Sequence, residues 1–163
     1  MIQDTKNKII DYVFITSKQP VLLKDLLISN DLYTEKMRVD ASKLGFRMDI
    51  AKAYKAFTAL ALVIVLPVAL IAHMLLAKID SHASIIVSIL LTALIFIYFN
   101  IFRERLVDAM TIRRIRKAWK NHFPYFPYDE YHEKVAKLYE QAEKAEIPKK
   151  ELEIYILDNL SKE

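Results

Sequence analysis

The chain has 163 residues and a formal net charge of +4, and 54% of its residues are hydrophobic while 27% are charged. One Gly and five Pro residues are too few for the turns of a β-sandwich or barrel and for a glycine-lined phosphate loop, so helices are the predicted elements. The lack of any Cys excludes disulfides, thiolate nucleophiles, zinc knuckles and iron–sulfur clusters.

The first 56 residues predict two short helices and one long one. The first helix is expected over residues 4–17, and the second from Pro20 to about Asn30, because proline suits the first turn of a helix. The apolar face of the first helix would hold Ile9, Ile10, Val13 and Phe14. From Tyr33 onward, apolar residues recur at intervals of four and three, which is typical of a coiled-coil seam. That seam comprises Met37, Ala41, Leu44, Met48 and Ala51. Because no proline interrupts it, we expect one helix from Tyr33 into the next segment, with Gly45 inside it.

Two runs without a formally charged residue follow, residues 57–77 and 83–102. Each would be about 30 Å long as a helix, which is the thickness of a bilayer core. These runs predict an all-α integral membrane protein in which two transmembrane helices form a hairpin. Residues 1–56 and 103–163 would form cytoplasmic helical regions on either side of it. The alternative is a soluble all-helical protein with a buried central hairpin.

Basic residues flank the two runs on one side. Lys52 and Lys55 precede the first run, and segment 103–120 after the second contains seven basic residues, whereas the connection between the runs has one Lys and one Asp. Because positively charged flanks stay inside, both termini are predicted to be cytoplasmic and the connection extracytoplasmic. Aromatic residues at the same ends of the runs support this orientation: Tyr54, Phe57, Tyr98, Phe99 and Phe102.

Small or polar residues recur every four positions in both runs, a spacing that marks the face where membrane helices approach closely. This predicted packing face comprises Ala69, His73, Ala77, Ser84, Ser88 and Thr92. In a hairpin that turns near Asp80, His73 lies level with Ser88, and a hydrogen bond between them would contribute about 1 kcal/mol. The alternatives for His73 are a haem or metal site shared between subunits and a role in proton transfer. His82, at the turn, is too far along the axis to share a metal with His73 in one chain.

Segment 103–120 is basic and partly amphipathic. It either packs on the preceding helices as an ordinary positive flank, or contacts anionic lipid headgroups, to which each basic residue would contribute on the order of 1 kcal/mol. The residues expected to contact lipid are Arg103, Arg105, Arg113, Arg114, Arg116, Lys117 and Lys120. Nucleic-acid binding is disfavoured because this charge adjoins the predicted membrane surface.

The stretch NHFPYFPYDEY contains two prolines and predicts a break after this basic helix. Its aromatic residues either pack on the helices or form an exposed docking site for a partner, and they are Phe123, Tyr125, Phe126 and Tyr128. A helix is expected beyond them to about residue 145, and Pro148 would open a last helix. The inward residues of that last helix would be Leu152, Tyr155, Ile156 and Leu160. Asp129, His132 and Glu133 could together hold a metal weakly, although acids are common in a first helical turn.

The predicted function is non-enzymatic: an adaptor, anchor or accessory subunit whose cytoplasmic helices bind a membrane-protein partner or a second copy of the chain. The first alternative is a homo-oligomeric channel with a pore lined by His73, Ser84, Ser88 and Thr92. The second alternative is a haem- or metal-binding membrane protein. The residues predict no catalytic group, cofactor or metal ligand. They predict anionic lipid as a partner and do not predict nucleic acid.

Overall fold

The computed structural model describes residues 2–76 and 81–162, with side chains for all of these except residues 2, 3, 76, 81–84 and 88. Within these ranges the chain is mostly helical, as predicted, with six helices and two short strands. In chain order they are α1 Ile2–Val13, β1 Phe14–Thr16, α2 Leu23–Thr34, β2 Phe46–Met48, α3 Ile50–Leu76, α4 Ser81–His122, α5 Tyr128–Lys144 and α6 Leu152–Ser161.

The chain divides into two compact units, each built from separate segments. Unit 1 comprises Met1–Ile15 and Met48–Asp108, and unit 2 comprises Thr16–Arg47 and Ala109–Glu163. This division is based on contacts and not on position along the chain. The three consecutive regions predicted from the sequence, residues 1–56, 57–102 and 103–163, therefore stay a prediction.

Unit 1 contains α1, α3 and the part of α4 up to Asp108, and α1 packs against α3. Of the residues predicted for the apolar side of α1, Ile10 and Val13 are buried, Ile9 is half-buried, and Phe14 is buried but lies just beyond the helix. The helix ends at Val13, however, and not at residue 17. The residues that follow it, Phe14–Thr16, are aromatic or β-branched and form β1.

The two strands form a two-stranded sheet, which the sequence did not predict. At one end the Ser17 N–H donates to the Gly45 carbonyl (2.7 Å), and at the other the Asp49 N–H donates to the Val13 carbonyl (2.9 Å). Residue numbers rise along one strand as they fall along the other, so the strands are antiparallel.

The predicted long helix from Tyr33 is wrong, because α2 ends at Thr34 and α3 begins at Ile50. Lys36 adopts a positive φ of 58°, and the Met37 N–H donates to the Leu32 carbonyl, which is the Schellman ending of a helix. Farther on, the Asp40 carboxylate accepts hydrogen bonds from both the N–H and the hydroxyl of Ser42, a local turn that competes with a helix. The apolar spacing was therefore overridden by turn chemistry.

Asp49 starts α3 by capping its N-terminus. Its Oδ1 accepts a hydrogen bond from the Lys52 N–H (3.1 Å), and its carbonyl accepts the first helical bond, from the Ala53 N–H (2.9 Å). An aspartate at this position satisfies donors that the first turn otherwise leaves open. From there α3 runs through Pro67 to Leu76 without a break.

Two helices, α3 and α4, are long and apolar enough to cross a membrane. In their most apolar windows, 0% and 6% of the residues are buried. A central helix of a soluble protein would be mostly buried there, so the exposed apolar side chains argue against the buried-hairpin alternative.

Unit 2 is a helical module made of α2, the end of α4, α5 and α6. α5 packs against both α2 and α6, using its buried residues Val135, Ala136, Tyr139 and Ala142. In α6 the predicted inward residues Leu152, Ile156 and Leu160 are buried, and Tyr155 is half-buried. The buried face of α5, formed by these four residues, is therefore covered by helices of the same chain, and no coiled coil is needed to cover it.

Candidate functional site

The predicted lipid-contacting residues lie on α4 and fall into two environments. Arg114 is buried, with 8% of its surface exposed. The others are exposed on the helix surface, and they are Arg103, Arg105, Arg113, Arg116, Lys117 and Lys120. The sequence therefore predicted one uniformly basic segment, whereas in the structure Arg114 is buried and the other six basic residues are exposed.

Arg114 is held by the loop that precedes β2. Its Nε donates a 2.8 Å hydrogen bond to the carbonyl of Leu44, a residue 70 positions away in the chain. Next to Leu44, Gly45 adopts φ +66°, and a Cβ built on it would lie 3.1 Å from Nη2 of Arg114. Gly45 is thus favoured for two reasons: its backbone is left-handed, and a side chain there would enter the space that the guanidinium occupies.

Arg116 joins the end of α4 to the start of α5. Its guanidinium pairs with the Asp129 carboxylate and lies over the Tyr128 ring, 5.4 Å from the ring centroid. Both charged groups are exposed, so the pair contributes at most about 1 kcal/mol. Asp129, one of the three residues that could have formed a weak metal site, is therefore engaged by an arginine.

His132 is likewise engaged in packing. Its Nδ1 donates to the Tyr128 carbonyl (3.0 Å), and its ring stacks on the Tyr128 ring at 4.8 Å. Its own carbonyl accepts a 2.8 Å hydrogen bond from Nδ2 of Asn30, which ties α5 to α2. Burial raises the pKa of the Tyr128 phenol.

The aromatic connector after α4 is divided between core and surface. Phe123 is 1% exposed, whereas Tyr125 is 89% exposed. Trp119 contacts three residues of the turn. Its Nε1 donates a hydrogen bond to the Phe126 carbonyl (2.7 Å). The centroid of its ring lies 4.7 Å from that of Phe123 and 5.1 Å from that of Tyr128. Of the predicted docking residues, Tyr125 is the one displayed to solvent, and Phe126 and Tyr128 are half-buried.

The structure brings together three carboxylates that the sequence did not single out. Ligand oxygens of Asp31, Glu35 and Glu140 lie within 4.8 Å of one another. Burial raises the pKa of Asp31, and the nearby charges of Glu35, Glu140 and Glu143 raise it further. Such oxygen ligands suit Ca²⁺ or Mg²⁺, but a carboxylate cluster alone does not define a metal site, and we assign no metal to it. Only the four-residue spacing of Asp31 and Glu35 was visible in the sequence.

The predicted packing face of the two apolar helices falls partly outside the described residues. Ala77 and the side chains of Ser84 and Ser88 lie there, as does the predicted bond between His73 and Ser88. Ala69 is half-buried, and His73 and Thr92 are exposed on the chain surface.

The aromatic ends of these helices are in contact within unit 1. The Tyr54 ring stacks on that of Phe99 at 4.1 Å, and the Phe57 ring lies 5.3 Å from Phe99 and 5.4 Å from Phe102. In the predicted register Tyr54 would face Val107 and Phe57 would face Glu104, so at this end the ring contacts occur two to eight residues earlier in α4.

The chain matches no protein-family model, no curated protein and no solved structure. Its function is therefore argued from its own residues and geometry.

Proposed function

We propose that the chain is a non-enzymatic membrane adaptor. In this proposal α3 and α4 cross the membrane as a hairpin, both termini are cytoplasmic, and the helical module of unit 2 binds a second copy of the chain or another membrane protein. The observation that carries the proposal is the continuity of α4. It is one helix from Ser81 to His122, and it contains both an exposed apolar window and buried residues of unit 2.

The end of α4 also belongs to the core of unit 2. Met110, Ile115 and Trp119 are buried, and they lie on the same helix as the apolar window. In this proposal the membrane span and part of the core of unit 2 are therefore consecutive segments of one helix, whereas a freely tethered module would have a flexible linker.

The hairpin and its orientation are supported by contacts and charge. The rings of Tyr54 and Phe57 contact that of Phe99, as expected if the start of α3 and the middle of α4 lie side by side. Aromatic residues favour the membrane–water interface, and basic residues next to such an interface favour the cytoplasmic side. Lys52 and Arg103 adjoin this aromatic cluster in the sequence, which agrees with cytoplasmic termini.

Tyr125 is the proposed contact for the partner protein. It stands between Pro124 and Pro127, and the next residue, Phe126, is fixed through its carbonyl by Trp119. An exposed tyrosine on a rigid turn loses little conformational entropy on binding, and tyrosine is enriched among the residues that dominate interface energies.

A photo-crosslinking amino acid at Tyr125 of the full-length protein in native membranes tests the proposal. We expect one discrete crosslinked product, either a dimer or a single larger complex. The matched control carries the same group at Lys149, which is also exposed. No product from position 125, or the same product from both positions, would remove the proposed contact. Ion flux in liposomes that contain the purified protein would instead favour the channel alternative.

Anionic lipid is the second proposed partner, through the exposed arginines of α4. Arg103→Gln, Arg105→Gln and Arg113→Gln together should reduce the amount of phosphatidylserine that remains bound to the full-length protein in native mass spectrometry, and added salt should reduce the difference. The control removes three exposed positive charges elsewhere, at Lys137, Lys149 and Lys150. An equal loss of lipid from both variants would show only a general charge effect.

A further inference from the structure

Arg114 is a buried cation, with 8% of its surface exposed. Its guanidinium has five N–H donors, and one of them, on Nε, donates to the Leu44 carbonyl. Within residues 2–76 and 81–162, no carboxylate pairs with it, and burial lowers its pKa with no acidic neighbour to offset the effect. A buried charge is unfavourable unless it is paired, so an unpaired one beside a cavity points to a ligand of opposite charge.

A cavity of about 280 Å³ adjoins Arg114. One wall is the segment Thr16–Val21 and the other is the end of α4, both within unit 2. Lys18, Arg114 and Lys117 line the cavity, and none of its ten lining residues, all of them described, is acidic. The cavity therefore carries three positive charges and no negative one.

The walls of this cavity are fixed by hydrogen bonds at both ends of the segment Thr16–Val21. The Ser17 N–H donates to the Gly45 carbonyl (2.7 Å), and Nε2 of His122 donates to the Val21 carbonyl (2.9 Å). Between these points the Ser17 hydroxyl accepts a bond from the Gln19 N–H, and it keeps its own O–H as a donor. The backbone of this wall is thus held in place before any ligand binds, which lowers the entropic cost of binding.

We propose that this cavity binds a phosphate-type dianion, with the Arg114 guanidinium as its buried anchor and Lys18 and Lys117 at its exposed edge. An arginine presents a planar pair of donors that matches two oxygens of a phosphate, while lysine acts as a point charge. Three cations suit a dianionic phosphomonoester better than a singly charged carboxylate. The volume lies just below the range of about 300–1,000 Å³ that is usual for small-molecule sites, so it suits one phosphate group with a small substituent.

This site was not recognisable from the sequence. Arg114 and Lys117 are two of seven basic residues in one helix, and nothing in their spacing separates them from the exposed members. Lys18 lies almost a hundred positions earlier and meets them only through the fold. The inference goes beyond the proposed adaptor function and does not depend on it, because the cavity belongs entirely to unit 2.

Calorimetric titration of the full-length protein with inorganic phosphate, in uncharged detergent and at constant ionic strength, tests the site. We expect saturable binding of one phosphate per chain. Lys117→Gln and Lys18→Gln should each weaken it by about tenfold to a hundredfold, the effect of losing one hydrogen bond to a charged group. Arg114→Gln should abolish it, but because this change also removes the hydrogen bond to the Leu44 carbonyl, the two exposed lysines carry the test.

Lys120→Gln is the matched control, since Lys120 is an exposed lysine one turn from Lys117 on α4 but does not line the cavity. Its phosphate affinity should stay within twofold of wild type. A loss as large as that of Lys117→Gln would show diffuse attraction to a basic helix and overturn the site. Absence of saturable phosphate binding to the wild-type protein in uncharged detergent would overturn it as well.

Nanodiscs distinguish a lipid phosphate from a soluble one. The titration is repeated in discs of phosphatidylcholine alone and in discs that also contain phosphatidic acid, whose headgroup is a phosphomonoester. If a lipid occupies the site, phosphatidic acid should suppress phosphate binding, and Lys117→Gln should weaken this suppression while Lys120→Gln should not. If the ligand is soluble, phosphate should bind equally in both discs. Either pattern supports the cavity as the binding site.

Discussion

Replacement of Gly45 by alanine should destabilise unit 2 by about 2 kcal/mol. A non-glycine residue in the left-handed region costs about 1–2 kcal/mol, and Gly45 has φ +66°. The new Cβ would also lie 3.1 Å from Nη2 of Arg114 and 3.2 Å from Cβ of Ser17. If the guanidinium moves away, its bond to the Leu44 carbonyl weakens, and hydrogen bonds to charged groups contribute about 1.5–3 kcal/mol when intact.

Trp119 provides the assay, because it is the single tryptophan of the chain and is 2% exposed. Its fluorescence during thermal unfolding of the full-length protein in detergent reports on unit 2. For a unit of this size, 2 kcal/mol corresponds to a lowering of the midpoint by roughly 10 °C. Arg114→Ala provides a second background: Gly45→Ala should cost less there, by the part of the effect that is due to crowding.

Ser42→Ala is the control within the same turn. It removes an exposed hydrogen bond to Asp40 without altering a left-handed residue, so it should change the stability by less than about 0.5 kcal/mol. The reasoning would be refuted if Gly45→Ala had an effect as small as that of Ser42→Ala. If Gly45→Ala lowers the unfolding free energy by the same amount with and without Arg114, backbone strain alone would explain the effect.

Three further predictions concern topology, pH and the apolar helices. Cysteines at Ser81 and Ser161 of this cysteine-free chain should react with impermeant reagents from opposite sides of the membrane, and labelling of both from one side would exclude the two-span topology. Asp31→Asn should raise the unfolding midpoint at pH 7. The folded state raises the pKa of Asp31. The protonated carboxyl therefore stabilises the fold fully below about pH 3.9, the pKa of Asp31 in the unfolded chain. This stabilisation is lost as the pH rises through the pKa of Asp31 in the folded chain. The advantage of Asp31→Asn should accordingly disappear toward pH 4, and a lower midpoint than wild type at pH 7 would show that the charged carboxylate is favourably bound. His73→Ala and Ser88→Ala should each destabilise by about 0.6 kcal/mol, with a double variant that costs less than their sum, whereas loss of a cofactor with His73→Ala alone would indicate a chemical role for the histidine.

Local patterns were sufficient for the helical class, for the positions of the two apolar runs and for much of the buried surface of unit 2. Leu152, Ile156 and Leu160 recur at helical spacing, and the helix that contains them does bury them. Such predictions succeed because the period of a helix is a property of neighbouring residues. The failure at residues 35–49 has an equally local cause. Apolar residues at three- and four-residue intervals also occur by chance, and the turn formed by Asp40 and Ser42 was the stronger signal.

The roles of individual side chains were decided only by the tertiary structure. Arg114 and Lys117 stand three positions apart with similar chemistry, yet one is buried beneath the Leu44 carbonyl and the other is exposed. Phe123 and Tyr125 likewise separate into core and surface. In each case the deciding contact joins segments far apart in the chain, such as the 70 positions between Leu44 and Arg114. The sequence alone determined that this chain is helical, carries two apolar runs and has a basic segment after them. The cavity at Arg114 exists only because folding brings the segment Thr16–Val21 against α4, and no local pattern of residues encodes that approach.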